Sequence, residues 1–313
     1  MGSAGRIAAR SLVLVFAVVG LACASSATAP RSSASTSVSE SARGTLLIVG
    51  GGPIPDAVLD RFVTLAGGKG RARIVIFPMA SESADAGVEL AEDFRKLGAG
   101  AERVVLTHEQ AEVPDAARRL DGVTGIWFGG GDQSRLTAAI GRTPVETAIH
   151  ERYRNGAVVG GTSAGAAVMS TPMLTGDERH PGGSRPPEKD SSDAFMTIAR
   201  DDVVTIDGFG LIHGAIIDQH FVRRRRSNRL LSVVLEHPEL VGIGIDESTA
   251  LEVPPSGPWR ILGDSAAVVF DARAARITPP SAAPLGATGL RLSVLPSGST
   301  YDLATGTATL PEK

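Results

Sequence analysis

From Ala157 to Met169 the chain reads Ala-Val-Val-Gly-Gly-Thr-Ser-Ala-Gly-Ala-Ala-Val-Met, an apolar run that breaks at Gly161-Thr-Ser163-Ala-Gly165 and passes at once into a helix-favouring stretch. This order predicts a strand entering a helix through one tight turn. Such a turn imposes unusual backbone angles on the serine, and glycines two residues to either side remove the side chains that would collide there. The Ser163 hydroxyl then projects alone above a sheet edge. In a chain with 37 glycines the pattern also arises by chance. A plain strand-turn-helix is therefore the competing reading, and the surroundings must decide.

The chain has 313 residues, 42% of them hydrophobic and only 4% aromatic, so Ala, Val, Leu and Ile supply the packing. That composition suits a parallel sheet covered by helices. A formal net charge of -3 favours neither nucleic acid nor an acidic membrane surface as a partner. Residues 1–23 combine a basic start (Arg6, Arg10), the apolar run Ser11 to Ala22, and Cys23. The run falls short of the roughly 20 apolar residues of a spanning helix and reads as an export signal. Cys23, with the small Ala22 before it, resembles a bacterial lipoprotein acylation site, although Leu21 lies one place closer to it than usual. The alternative is cleavage nearby by the general signal peptidase, giving a soluble periplasmic or secreted protein. Residues 24–44 are a Ser-, Ala- and Thr-rich tract that cannot bury enough apolar area to fold and reads as a tether.

Residues 45–310 are expected to form one catalytic α/β domain. Apolar runs at Leu46–Val49, Arg73–Phe77, Arg103–Leu106, Gly125–Phe128 and Ala157–Gly160 read as strands. Helical spacing fills Ile54–Ala66, Ala84–Leu97, Gln133–Ala139 and Pro144–Asn155 between them. The strands are continuously apolar, which predicts a mostly parallel sheet flanked by helices on both faces. Further strands at Arg260–Leu262, Ala267–Phe270, Leu290–Leu295 and Thr300–Leu303 close the same domain, and 171–205 reads as a long polar loop, either a rim over the site or an inert insertion.

In such sheets ligands bind beyond the carboxyl ends of the strands, so the turns carry the interest. Gly50-Gly-Gly-Pro53 lacks the G-x-G-x-x-G spacing and is not read as a nucleotide loop. Gly129-Gly-Gly131 can bring backbone N–H groups close to an oxyanion, or it can be a tight turn and nothing more. A serine nucleophile needs a base and a group that orients the base. Of six histidines, His220 stands out because the apolar run from Gly214 ends in Asp218-Gln219-His220. Val241-Gly-Ile-Gly-Ile-Asp246-Glu247 repeats that form and delivers carboxylates. Arg226 and Arg229, three apart on a helix face, emerge beside the candidate base, where guanidinium forks suit a carboxylate. A solvated charge run is the competing reading.

Taken together, Gly129-Gly-Gly-Asp-Gln133, Gly161-Thr-Ser-Ala-Gly-Ala166, Asp218-Gln-His-Phe221 with Arg224, Arg226 and Arg229, and Gly242-Ile-Gly-Ile-Asp-Glu247 resemble the cyanophycinase branch of the peptidase E family of serine peptidases. The resemblance runs from about Leu46 to Leu303. It implies a fold like that of the class I glutamine amidotransferases, here with extra C-terminal strands. It also implies an exopeptidase that cuts cyanophycin, a polyaspartate carrying arginine on each side chain, to β-aspartyl-arginine. By the same resemblance Ser163 is the nucleophile, His220 the general base and Glu247 the orienting carboxylate. Backbone N–H groups of Gly130, Gly131 and Ala164 form the oxyanion hole. Gln133, Asp218, Gln219, Arg224, Arg226 and Arg229 line the pocket, with Asp218 meeting the substrate guanidinium. No metal or organic cofactor is implied, and a homodimer is expected. Two alternatives remain at this point: an aspartyl or isoaspartyl dipeptidase of the same family, and an exported lipoprotein that binds anionic ligands through its arginines with Ser163 silent.

Overall fold

Leu46, Leu47, Ile48 and Val49 are all completely buried, yet they serve two different cores: Leu46 and Ile48 face one, Leu47 and Val49 the other. The same split recurs along the neighbouring strands, with Val75 and Phe77 opposite Ile74 and Ile76, and Ile126 and Phe128 opposite Trp127. A pleated strand sends successive side chains to opposite faces, so uninterrupted apolar runs mark a sheet covered on both sides.

The computed structural model describes residues 43–179, 197–281 and 285–312. These fall within one compact unit, Glu40–Lys313. Cys23 and the expected export signal and tether lie outside the described residues, apart from Arg43 and Gly44 at the end of the tether. The first half runs β1 (Leu46–Val49), α1 (Asp56–Leu65), β2 (Arg73–Phe77), α2 (Val88–Lys96), β3 (Gly100–Arg103), α3 (His108–Ala111), α4 (Pro114–Ala117), β4 (Gly125–Phe128), α5 (Gln133–Ile140), α6 (Pro144–Arg154), β5 (Val158–Thr162) and α7 (Ala164–Ala167). The second half runs β6 (Met173–Glu178), β7 (Val203–Ile206), β8 (Ala215–Gln219), α8 (Ser227–Glu236), β9 (Val241–Ile245), β10 (Thr249–Val253), β11 (Trp259–Gly263), β12 (Ala266–Asp271), β13 (Arg276–Ile277), β14 (Ala287–Thr288), β15 (Arg291–Pro296), β16 (Thr300–Asp302) and β17 (Thr307–Thr309).

A nine-stranded sheet has the order β17-β16-β11-β10-β1-β5-β4-β2-β3. From β1 to β3 every neighbour is parallel, and from β1 outward to β17 every neighbour is antiparallel. The fold is thus α/β and mostly parallel at its centre, with added C-terminal strands. One expectation needs refinement. The strands that deliver His220 and Glu247 do not join β1: β8 and β9 pair in parallel within a separate four-stranded sheet, β15-β12-β9-β8. This second sheet turns Ile217, Ile243 and Ile245 onto the core shared with β1, and its outer face carries α8 through Ile216, Leu230 and Val234.

Three other expectations are corrected. Strand β3 ends at Arg103, where the apolar run was expected to begin. As the edge strand it is only half covered, and Val104 and Leu106 are buried where the chain leaves the edge for α3. Strand β5 continues through Gly160 and Gly161 to Thr162, because both glycines pair with β1 and β4. The segment 171–205 is not all loop: β6 and β7 form an antiparallel ribbon pairing Met173 with Ile206 and Glu178 with Val203, while 180–196 lie outside the described residues. Met173, Leu174 and Val203 are buried, but the polar residues around them mask any periodicity.

Candidate active site

Ser163 sits at φ 55 and ψ -113, a backbone conformation that side-chain-bearing residues rarely adopt. Its neighbours show why the turn closes only with glycine. A Cβ on Gly161 would stand 2.4 Å from the Gly165 carbonyl oxygen, and one on Gly165 would stand 2.2 Å from that of Phe128. The Ser163 N–H donates to the Val49 carbonyl at 3.1 Å, tying the elbow to the end of β1.

His220 follows β8 and is also left-handed, at φ 48. Here the constraint comes from distant parts of the chain. Its N–H donates to the Gly50 carbonyl at 2.6 Å, and the turn after it is held by Asp246, whose Oδ1 accepts the N–H groups of Val222 (3.1 Å) and Arg223 (2.9 Å). The other Asp246 oxygen accepts the Ser265 hydroxyl at 2.9 Å. Gly51 lies beneath the imidazole: a Cβ there would be 2.3 Å from His220 Cε1. Gly52 stands the same way against Glu247, its Cβ position 2.9 Å from the Glu247 Cβ. The chain crosses from the second sheet to the first between β9 and β10, and Glu247 occupies that crossing.

These elements bring three side chains into one line. His220 Nδ1 and Glu247 Oε1 are 2.7 Å apart, and Ser163 Oγ and His220 Nε2 are 2.8 Å apart. With the Nδ1–H donating to the carboxylate, Nε2 keeps its lone pair and accepts the serine hydroxyl. Burial pushes the imidazole below its ordinary value of 6.5, with Arg224 and Arg226 adding to the effect and the Glu247 hydrogen bond opposing it. A neutral imidazole in this position can take the proton of Ser163. Among the described residues the backbone N–H groups of Gly130, Gly131 and Ala164 have no acceptor. A Cβ on Gly130 would lie 3.4 Å from that of Ser163, so this turn stands directly beside the hydroxyl.

The remaining expected pocket residues are distributed differently. Asp218 is fully buried, and both its oxygens are engaged by Arg229, at 2.8 Å from Nε and through a second contact from Nη2. It is therefore committed to an internal ion pair and does not present a carboxylate to an open pocket. Arg226 is turned inward as well, donating from Nη1 to the Gln219 carbonyl at 2.9 Å and to Gln219 Oε1 at 2.7 Å. Gln133, at the start of α5, donates to the carbonyls of Leu174 and Thr175, both at 2.7 Å, and so pins β6 beside the Gly129–Gly131 turn. Arg224 is half-buried and follows His220 by one turn. The sequence gives Asp246 as a carboxylate beside Glu247 but not its hold on the turn after His220, and it offers Gly50-Gly-Gly52 only as a nucleotide loop; the triplet's position directly after β1 is the signal for the part that Gly51 and Gly52 play. Among the described residues no cluster of three His, Cys, Asp or Glu is placed to hold a metal ion.

Residues 46–257 match the family model "Peptidase family S51". The chain belongs to this family. A cyanophycinase of Trichormus variabilis is 36% identical over 244 residues, covering 75% of this chain and 77% of that protein. A cyanophycinase of Geminocystis herdmanii is 33% identical over 274 residues, covering 84% and 95%. The crystal structure of a peptidase from an acI-B1 actinobacterium shares the fold, with a TM-score of 0.57 at 22% identity over 82% of this chain and 98% of that one. Within family S51 the chain is a serine-type peptidase of the cyanophycinase branch.

Proposed function

We propose that this peptidase is an exported exopeptidase that hydrolyses cyanophycin to β-aspartyl-arginine dipeptides through an acyl-enzyme. The observation that carries the reading is the Ser163–His220–Glu247 line, at 2.8 and 2.7 Å, beside three unused backbone N–H groups. The relatives named cyanophycinase, similar along most of the chain, supply the substrate.

In this mechanism Ser163 Oγ attacks the scissile carbonyl carbon while its proton passes to His220 Nε2. Glu247 stabilises the resulting imidazolium and keeps its ring oriented. The carbonyl oxygen, now negatively charged, accepts the N–H groups of Gly130, Gly131 and Ala164, the arrangement through which acyl-transfer sites gain most of their rate. Collapse breaks the C–N bond, and His220 returns the proton to the departing amine. Water then repeats the sequence: His220 removes its proton, the oxygen attacks the acyl carbon, and Ser163 leaves with its proton restored. Gln219, Arg226 and Arg229 act in this reading by fixing the second sheet's rim behind His220, and Arg224, one turn beyond His220, faces substrate carboxylates.

The export part of the proposal rests on residues 1–23, with Cys23 acylated as a lipid anchor; a homodimer belongs to the same reading. The test is incubation of the mature chain with insoluble cyanophycin and chromatography of the soluble products. β-Aspartyl-arginine is expected from the native chain. For Ser163→Ala a loss of at least about 10³-fold is expected, since removing a triad member leaves only binding and oxyanion contributions. Undiminished release from that variant ends the proposal. Mass analysis of the mature N terminus, together with sedimentation, checks the anchor and the dimer.

A further inference from the structure

The proposed substrate carries an arginine on every repeat, yet Asp218, the carboxylate expected to meet it, is saturated by Arg229 within the protein. Any guanidinium must find its partner elsewhere. A trough of about 420 Å³ begins at the Gly130 turn and Thr162, the residue before Ser163, and runs out to α2. Its lining includes the apolar Ile54, Leu59 and Leu90 and, from α2, the carboxylates Glu89 and Asp93. An apolar trough edged by carboxylates matches a long aliphatic stem with a cationic head, because methylene groups gain from apolar burial while the head needs charge-assisted acceptors.

The two ends of the trough differ in chemistry. At the end nearest Ser163 the lining is Gly129, Gly130 and Thr162, whose methyl carbon lies 3.8 Å from where a Gly130 Cβ would stand. Where α2 borders the trough, Asp93 pairs with Lys96, at 2.7 Å on the surface, with the lysine side chain 71% exposed. Exposed pairs of this kind are weak and readily exchanged for a guanidinium that can bind a carboxylate through two nitrogens. Glu89 is exposed in the first turn of α2, one helical turn from Asp93, so both carboxylates edge the same opening.

We propose that this trough is an alkylguanidinium subsite in which Glu89 and Asp93 select substrates bearing arginine-like side chains next to the bond that Ser163 attacks. The inference rests on the proposed hydrolytic reading for its biological substrate, but its binding chemistry can be measured separately. Titration of the mature chain with agmatine, an alkylguanidinium that also carries a terminal ammonium, reads the subsite by calorimetry. The second arm compares kcat/KM on cyanophycin with kcat/KM on the same polymer after its arginines are converted to neutral citrulline.

Agmatine is expected to bind the native chain and to bind Glu89→Gln/Asp93→Asn at least about tenfold more weakly, as loss of charge-assisted acceptors implies. The preference for arginine polymer over citrulline polymer should fall in the same variant, with the change carried by KM. Glu89→Arg, a surface substitution read beside its melting temperature, should weaken agmatine further. Absence of agmatine binding, or equal binding by native and double variant, overturns the subsite. Agmatine bound at the trough while native protein leaves the polymer uncut would overturn the cyanophycin reading and leave the subsite standing.

Discussion

The two turns that carry Ser163 and His220 solve one problem in opposite ways. Both hold a functional residue at positive φ, 55 for the serine and 48 for the histidine. At Ser163 the constraint is local: Gly161 and Gly165, two residues away on either side, leave the only space in which strand and helix can meet. At His220 the constraint is assembled from sequence positions far apart, namely the Gly50 carbonyl, the empty Cβ position of Gly51, and the Asp246 carboxylate beneath the following turn. In the proposed mechanism the nucleophile is thus positioned by its own few residues, whereas the base depends on the register between two sheets.

Substitutions at the two turns should separate these modes. Gly165→Ala places a Cβ 2.2 Å from a backbone oxygen, so the elbow itself must move. Activity should fall by at least about 10³-fold, and overpacking at this site should cost about 1–3 kcal/mol of stability, visible as a lower melting temperature. Gly51→Ala presses instead on the imidazole, from a residue at φ 106. Misplacing a catalytic group by an ångström costs about 10²-fold, so kcat should fall by that order with KM little changed. Equal effects of the two substitutions on both stability and kcat would remove the distinction between local and assembled constraint.

Asp246→Ala is the milder probe of the assembled turn. It leaves two backbone N–H groups and the Ser265 hydroxyl without their acceptor. A kcat loss of about tenfold is expected, with a stability cost of about 1–3 kcal/mol for the unpaired groups. Measured together, kcat and melting temperature should move in Asp246→Ala, whereas Ser265→Ala, which spares both N–H contacts, should change kcat less.

The same contrast explains what was legible before the structure. Strands β1, β2 and β4 match their apolar runs residue for residue, because burial on both faces leaves no room for polar interruption. Ser163 was visible because its turn is encoded within five residues. Edge strand β3 was misplaced by three residues, since one covered side is too little to impose a pattern. The β6–β7 ribbon was hidden because only its ends are buried. His220 and Glu247 were singled out by polar residues at the ends of apolar runs, but nothing local indicated that both rest on the Gly50–Gly52 turn. The Asp218–Arg229 pair was equally invisible: a carboxylate and an arginine near a site look alike whether they face substrate or each other, and only packing decides.

The pH dependence turns on the charge of His220. Burial, with Arg224 and Arg226, holds its imidazole below 6.5, and Glu247 opposes this. The proposed mechanism needs a neutral His220 to accept the Ser163 proton, so kcat/KM should rise with pH through a single acid limb whose midpoint lies below 6.5. For stability the sign follows from the depressed folded-state value. The share contributed by neutral His220 is complete above its ordinary value and is lost as pH falls through the folded-state one. In Glu247→Gln the opposing interaction disappears. The plateau of kcat/KM should drop by about 10³- to 10⁴-fold, as when the orienting acid of a triad is neutralised, while the acid limb moves to still lower pH. Paired pH–rate profiles and a nuclear magnetic resonance titration of the His220 ring read both effects. An acid limb that moves upward in Glu247→Gln would mean that the carboxylate does not stabilise the protonated ring, and the second sheet would then position His220 through Gly50, Gly51 and Asp246 alone.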